Sequence, residues 1–153
     1  MIRRNSGAPF HAILYLLVVI VLAAAALYWY SHWPRREAVE IVNEFYQYEQ
    51  TGDYGSAWTL FHSEMKKKFT QAEYIQKRTK VFIEDLGAKT FTYRIEDVDH
   101  LASWRMSAKA RPLKNVYRLK VAETFNGVFG LMTIETDIFV AKDGKEWRML
   151  WKY

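Results

Sequence analysis

Hydrophobic residues follow three different patterns along the chain. Residues 12–30 form an uncharged and almost wholly apolar run, residues 34–87 carry apolar side chains at helical intervals, and residues from 88 onward alternate apolar and polar side chains. The first pattern predicts a membrane-spanning helix, the second amphipathic helices and the third half-buried strands. Their order predicts an α+β domain behind one transmembrane helix, with the helices on one face of an antiparallel sheet.

Start and stop signals divide the helical part into three segments. Pro34 suits the first turn of the first helix, and Gly52 follows its end. Asp53 suits the N-cap of the second helix, and Thr70 opens a T-x-x-E capping box at the third, which Gly87 closes. The three predicted helices lie within residues 34–50, 53–69 and 70–87.

The alternating part predicts a meander of antiparallel strands. Asn126-Gly127 and Asp143-Gly144 suit tight hairpin turns between strands. Residues 100–112 fit either a further short strand or a loop. The predicted strands lie within residues 89–98, 115–125, 128–142 and 146–153.

The last strand has one heavily aromatic face. Extended geometry places Trp147, Met149, Trp151 and Tyr153 together, with Leu150 on the opposite face beside Arg148 and Lys152. We expect the aromatic face to pack on the helices. The inward positions suit a filled core or an apolar ligand pocket, and the candidate lining residues are Trp58, Phe91, Tyr93, Leu119, Met132, Ile134, Trp147 and Trp151.

The N-terminal run is long enough to cross a membrane, because nineteen helical residues rise about 28 Å. Aromatic residues at its far end suit the membrane interface. A cleaved signal peptide is the alternative interpretation. We expect an uncleaved single-pass anchor with a cytoplasmic N-terminus, although Arg3 and Arg4 are nearly balanced by Arg35 and Arg36. The predicted regions are a cytoplasmic segment (1–11), a transmembrane helix (12–33) and an extracytoplasmic domain (34–153).

Composition narrows the chemistry further. The 153 residues carry a formal net charge of +5 and no cysteine. The lack of cysteine excludes disulfides, thiolate metal ligands, a thiol nucleophile and a lipid-modified cysteine. The charge falls short of the clustered basic signature of nucleic-acid binding, so no nucleic-acid partner is expected.

The chain contains none of the common catalytic or metal-binding motifs, so we predict no catalytic residue, metal or cofactor. Its densest polar cluster is Glu96, Asp97, Asp99 and His100. An acid–base pair there would need a carboxylate and the imidazole inside one pocket. A solvated strand end is the simpler interpretation. His62 has no second histidine one helical turn away and is interpreted as structural or exposed.

One stretch of the chain is basic without any acid. It lies between Asp99 and Glu123. The segment could form an ordinary basic strand face, or it could contact anionic lipid or wall polymer. The candidate contact residues are Arg105, Lys109, Arg111, Lys114, Arg118 and Lys120.

Two stretches carry a resemblance to a known family. They are EQTGDYGSAWTLFHSEMKKKFTQAEYIQKRTKVFIEDLG and KDGKEWRMLWKY, the latter with the W-x-x-x-W pair Trp147 and Trp151. From Ala38 to Tyr153 the chain resembles the nuclear-transport-factor-2-like domain at the N-terminus of Gram-positive class B penicillin-binding transpeptidases. The resemblance implies a cone-shaped fold of three helices on a curved sheet.

The same resemblance implies a non-catalytic function. The serine transpeptidase motifs of that family are missing, and the sequence stops where its catalytic part would begin. The resemblance therefore implies an interaction or scaffold module of the cell envelope, with an envelope protein as partner and a link to cell-wall synthesis. Related folds imply three alternatives, namely lipid or small-ligand binding, acid–base catalysis like that of ketosteroid isomerase, and a bridging role in a secretion complex.

Overall fold

The computed structural model describes residues 8–88 and 90–153, except the side chains of residues 8–10, 30–32 and 83. Arg3 and Arg4, which bear on the predicted orientation, lie outside the described residues. The chain forms two compact units, Met1–Arg36 and Glu37–Tyr153. Helix α1 (Ala8–Thr51) begins in the first unit and ends in the second.

The first unit contains the apolar part of α1. Its most hydrophobic stretch reaches a mean hydropathy of 2.6, and none of that stretch is buried. The apolar side chains from Ile13 to Leu22 are each 48% to 72% exposed. The helix is therefore long and apolar enough to cross a membrane, as predicted. The predicted boundary at Pro34 was wrong as a helix start, because Pro34 lies inside α1.

The second unit begins with the remainder of α1 and continues through short helices. The capping box at Thr70 is present, with the Glu73 side chain accepting from the Thr70 backbone. Asp53 caps α2 through Ser56 N, and Gly87 follows the last helix with a φ of 61°. The helices after α1 are α2 (Tyr54–Thr59), α3 (Ser63–Lys66), α4 (Gln71–Thr79) and a π-helix (Lys80–Asp85).

The prediction of one continuous second helix was wrong, because the backbone between α2 and α3 joins the sheet instead. Met149 N donates to Leu60 O over 3.0 Å, and His62 N donates to Met149 O over 2.9 Å. His62 then caps α3, since its Nδ1 accepts from Glu64 N at 3.1 Å. His62 is 4% exposed, which confirms a structural position.

The sheet has four antiparallel strands in sequential order, which confirms the predicted α+β class. Residues 100–104, which fitted either strand or loop, continue the first strand, and residues 105–112 connect it to the second. The register of the first pair shifts between Ile95 and Asp97, which marks a β-bulge. The strands are β1 (Phe91–Trp104), β2 (Leu113–Gly127), β3 (Gly130–Asp143) and β4 (Glu146–Leu150).

The helices cover one face of the sheet, where side chains from β1, β2 and β4 meet α1. Tyr46 of α1 stacks on Tyr93 at 4.8 Å and contacts Phe91 at 6.0 Å. The Trp147 Nε1 atom donates to Glu37 over 2.5 Å. Tyr46 is 1% exposed, so this face carries the main core.

The opposite face of the sheet is also covered near β4. Leu150, predicted on the outer face, pairs with Phe139 and is fully buried. Phe139 stacks on Trp104 at 4.1 Å, and Tyr153 N donates to Met106 O over 2.7 Å. The β1–β2 connection and the C-terminal residues therefore form a second apolar layer. Alternation could not predict this layer, because its cover comes from distant residues.

The first prediction concerns the tight contact between the helical part and the β2–β3 hairpin. A Cβ atom on Gly127 would lie 2.3 Å from Leu86 O, whereas one on Gly55 would meet only ordinary contacts. Gly127→Ala should cost about 1–3 kcal/mol of unfolding free energy, because two backbone segments must separate. Urea unfolding of the full chain in detergent measures this, with Gly55→Ala as the matched control. Equal midpoints for the two variants would contradict the prediction.

Candidate functional site

The open edge of β3 lies beside a cleft in the described part of the chain. Strand β4 pairs only with Phe139–Asp143 of β3, which leaves Gly130–Ile138 without a partner on that side. The cleft opens where β4 ends and has a volume of about 490 Å³. Its lining residues are Phe45, Tyr46, Arg78, Glu123, Glu135, Thr136, Asp137, Phe139, Trp151 and Lys152.

An ion pair joins a cleft residue, Arg78, to the buried Glu49 carboxylate. Glu49 is 2% exposed and accepts from Arg78 Nε over 2.6 Å and from the Tyr74 hydroxyl. Burial and the Glu49 carboxylate raise the pKa of Tyr74 well above its ordinary value, so its hydroxyl stays protonated and remains a donor. The pair joins α1 to α4, and Arg78 also contacts the Phe82 ring at 4.0 Å.

Glu123 is the second buried carboxyl, and it lines the cleft. It lies on β2, is 7% exposed, and accepts from the Tyr46 hydroxyl over 3.0 Å. Burial raises the pKa of Glu123, and the nearby Arg78 guanidinium offsets only part of that rise. No other hydrogen bond reaches Glu123 from the residues that the structure describes, so its second oxygen is available to a ligand in the cleft.

Aromatic rings form the remaining wall of the cleft. Trp151 follows β4 and lies edge-on to Phe61 at 4.8 Å and to Phe45 at 6.2 Å. Phe69 and Tyr74 extend the same cluster, with ring centroids 5.6 Å apart. The cleft thus combines an apolar wall with three carboxyl groups and two cations. One of the cations, Arg78, is already paired with Glu49, so the lining favours a ligand that is partly apolar and positively charged.

The predicted lining residues separate into three groups. Phe91, Leu119 and Trp147 are buried in the core, and Tyr93 is partly buried with its hydroxyl 3.1 Å from Asn43 Oδ1. Trp151 is the one member of the predicted set that lines the cleft. The remaining three lie elsewhere. Trp58 packs under Lys66 at 4.8 Å, and Met132 and Ile134 are 40% and 41% exposed on β3.

The acidic cluster of the first strand does not line the cleft. Asp97 and His100 are exposed, and Asp99 pairs with Arg118 across the β1–β2 ladder. His100 lies beside the Tyr117 ring at 5.1 Å. These side chains therefore occupy the solvated surface of the sheet, as expected, but the predicted strand end was wrong because β1 continues to Trp104.

The six basic candidates do not share one electrostatic environment. Arg118 and Lys120 form ion pairs, the latter with Glu135 at 2.6 Å and with Glu96 at 3.7 Å. The others lie in or next to the β1–β2 connection and make no ion pair among residues 8–88 and 90–153. Those four residues are Arg105, Lys109, Arg111 and Lys114.

The sequence contains a signal for the buried charges, although neither residue is among the predicted site residues. Glu49 continues the apolar stripe of α1 at the helical interval after Val42 and Phe45, and Glu123 is the next inward position after Val121 on β2. A charge on an otherwise apolar face marks a buried pair. The partner Arg78 needed the tertiary structure, because α4 lies far away along the chain.

The described residues contain no cluster of side chains suited to hold a metal ion. Comparison with protein-family models and with curated protein sequences finds no match to this chain. The class that the structure defines is an α+β domain with an open strand edge, preceded by an apolar helix.

The second prediction tests the buried ion pair. Arg78→Met removes the cation and leaves the Glu49 carboxylate buried, which should cost about 3 kcal/mol or more of unfolding free energy. Lys80→Met is the matched control, because Lys80 pairs with Asp85 on an exposed surface. Its unfolding midpoint in urea should stay close to that of the wild type. Similar losses in both variants would contradict a special role for Arg78.

The third prediction follows from the raised pKa of Glu123. Unfolded glutamate ionises near about pH 4.3, so between that pH and the higher folded pKa the folded state holds the extra proton. Wild-type stability should therefore fall as pH rises through this window, by about 1.4 kcal/mol for each unit of pKa elevation.

Glu123→Gln removes this titration. In thermal unfolding, its stability relative to the wild type should rise as the pH increases from about 4.3 through the raised pKa of folded Glu123. Exposed Glu84 supplies the control variant Glu84→Gln. A pH-independent difference between Glu123→Gln and the wild type would overturn the assignment.

Proposed function

We propose that this chain is a single-pass membrane protein whose C-terminal domain lies outside the cytoplasm and serves protein interaction in the cell envelope. The observation that carries the proposal is an apolar helix with exposed side chains joined to a packed domain with an unpaired strand edge. Exposed apolar helical surface of this length is stable in lipid. An open edge supplies backbone groups to a partner.

The domain itself is proposed to have the nuclear-transport-factor-2-like fold. Helices that precede a four-stranded antiparallel sheet support this assignment. The two tryptophans of the W-x-x-x-W pair take structural positions. Trp147 contacts Tyr117 at 5.5 Å, and Trp151 contacts the helices through Phe45 and Phe61. Packing of this kind fits a non-catalytic spacer or docking module linked to cell-wall synthesis.

The cleft favours a second candidate function, the binding of a small ligand with acid–base chemistry. Glu123 is a buried carboxyl with a raised pKa beside the Tyr46 hydroxyl, and such groups occur at catalytic sites. A Glu123 carboxyl that titrates like free glutamate in the pH experiment above would remove this candidate.

The fourth prediction tests the orientation. The chain has no native cysteine, so Ser103→Cys and Ser6→Cys each introduce a single thiol. In intact cells a membrane-impermeant maleimide should label Ser103→Cys and should label Ser6→Cys only after lysis. The reverse pattern, or labelling of neither before lysis, would overturn the extracytoplasmic placement.

The interaction itself is tested with the same variants. A photo-crosslinker attached to Ser103→Cys on β1, or to Thr133→Cys on the open edge of β3, reports contacts at two edges of the sheet. A discrete protein adduct from Thr133→Cys supports the interaction function. The absence of protein adducts from both positions favours the ligand-binding alternative.

A further inference from the structure

The open edge of β3 is unusually suited to pair with another strand. The register between β2 and β3 runs without a shift from Tyr117↔Val140 to Gly127↔Gly130. Every second residue of an edge strand directs its backbone N–H and C=O groups away from its neighbour. Leu131 is 78% exposed, and Met132 and Ile134 are 40% and 41% exposed. No described segment covers this edge.

The other edge of the sheet is protected in the usual manner. Strand β1 carries a bulge between Ile95 and Asp97, and its exposed side chains there include Arg94 and Glu96. Bulges and charges on an edge strand discourage pairing with further strands. The two edges therefore differ, and only β3 offers a regular and partly apolar edge among the described residues.

Carboxylates flank the open edge on both faces of the sheet. Glu135 and Asp137 both lie on the face away from the helices, and Glu123 lies on the helix face within the cleft. Lys120 pairs with Glu135 at 2.6 Å, whereas Asp137 has no ion-pair partner within residues 8–88 and 90–153. A strand added here would find carboxyl groups on both sides of its backbone, with those of Glu135 and Asp137 on one face and that of Glu123 on the other.

We propose that β3 binds an extended basic peptide as a fifth strand, in line with β4, and that the cleft receives one of its side chains. This proposal rests on the proposed interaction function and specifies the chemistry of the partner. Apolar side chains on the helix face contact Met132 and Ile134. Basic side chains on the other face lie opposite Glu135 and Asp137, where cross-strand pairs of opposite charge are favourable.

The cleft adds selectivity at one end of the open edge of β3. A partner residue opposite Thr136 lies on the helix face, because Thr136 pairs with buried Val121. Its side chain enters the cleft between Trp151 and Glu123. A lysine or arginine there packs its aliphatic stem on the indole ring and places its charge at the Glu123 carboxyl.

A basic peptide explains the edge better than a second copy of this chain does. Two copies paired along β3 would bring Glu135 and Asp137 of both copies to one seam. Like charges close together across an antiparallel pair destabilise it. The acidic character of the edge therefore disfavours self-pairing and favours a partner of opposite charge.

The fifth prediction uses the full chain in micelles of a zwitterionic detergent. The probe is a fluorescent peptide with the sequence Ac-TKVKKKT-NH2, whose fifth residue places a lysine on the helix face for the cleft, and its binding is followed by fluorescence anisotropy. The acidic analogue Ac-TEVEEET-NH2 should not bind, and a backbone N-methylated copy should bind at least about tenfold more weakly because it loses edge hydrogen bonds.

Charge-reversal variants locate the site. The double variant Glu135→Lys with Asp137→Lys should weaken binding about tenfold or more. Asp97→Lys on the exposed part of β1 makes the same kind of charge change at the other edge and should leave the affinity unchanged. Glu123→Gln tests the cleft and should weaken binding of the lysine peptide. Circular dichroism should show that the double variant remains folded.

Three results would overturn the proposal. They are equal losses from Asp97→Lys and from the double variant, no binding at about millimolar peptide, and concentration-dependent self-association of the chain through Thr133→Cys crosslinks. The last would assign the edge to a second copy. Binding in detergent does not depend on orientation, so a failed labelling experiment and a failed peptide experiment remain distinguishable.

Discussion

Burial of the Glu49 carboxylate between α1 and α4 is the constraint on which the arrangement of the helices depends. A buried carboxylate needs hydrogen-bond donors for both of its oxygens. Here Tyr74 and Arg78, on one face of α4, each donate to one oxygen of Glu49. This requirement orients α4 against α1 and holds Arg78 in the wall of the cleft. Tyr46, one turn before Glu49 on α1, then reaches Glu123 on β2. The same helix therefore fixes both the helical layer and its position over the sheet.

The sheet carries two apolar layers, and their unequal extent produces the cleft and the open edge. Strand β4 is short, so it covers only the Phe139–Asp143 part of β3. Beyond it the C-terminal residues leave the sheet, with Trp151 packed on Phe61 and Tyr153 bonded to Met106. The aromatic cluster that stabilises the end of the chain is also what leaves the edge of β3 without a neighbour.

Local signals predicted several elements accurately, because they act within a few residues. The capping box at Thr70, the glycine after the last helix and the hairpin before β4 all depend on neighbouring backbone groups. The split between α2 and α3 was missed because Met149, far along the chain, competes for the backbone of Leu60 and His62. Leu150 was misplaced for a similar reason, since it pairs with Phe139 of β3, which in turn stacks on Trp104 of β1.

The sequence by itself determined the α+β class, the apolar N-terminal helix and the order of strands, because periodicity and hydropathy are properties of contiguous segments. Only the tertiary structure decided which charges are buried, where the cleft opens and which sheet edge stays unpaired. Glu49 and Glu123 already interrupt apolar faces in the sequence, yet their donors Arg78 and Tyr46 come from other elements. Burial and pairing depend on contacts between distant segments, and no local pattern records those contacts.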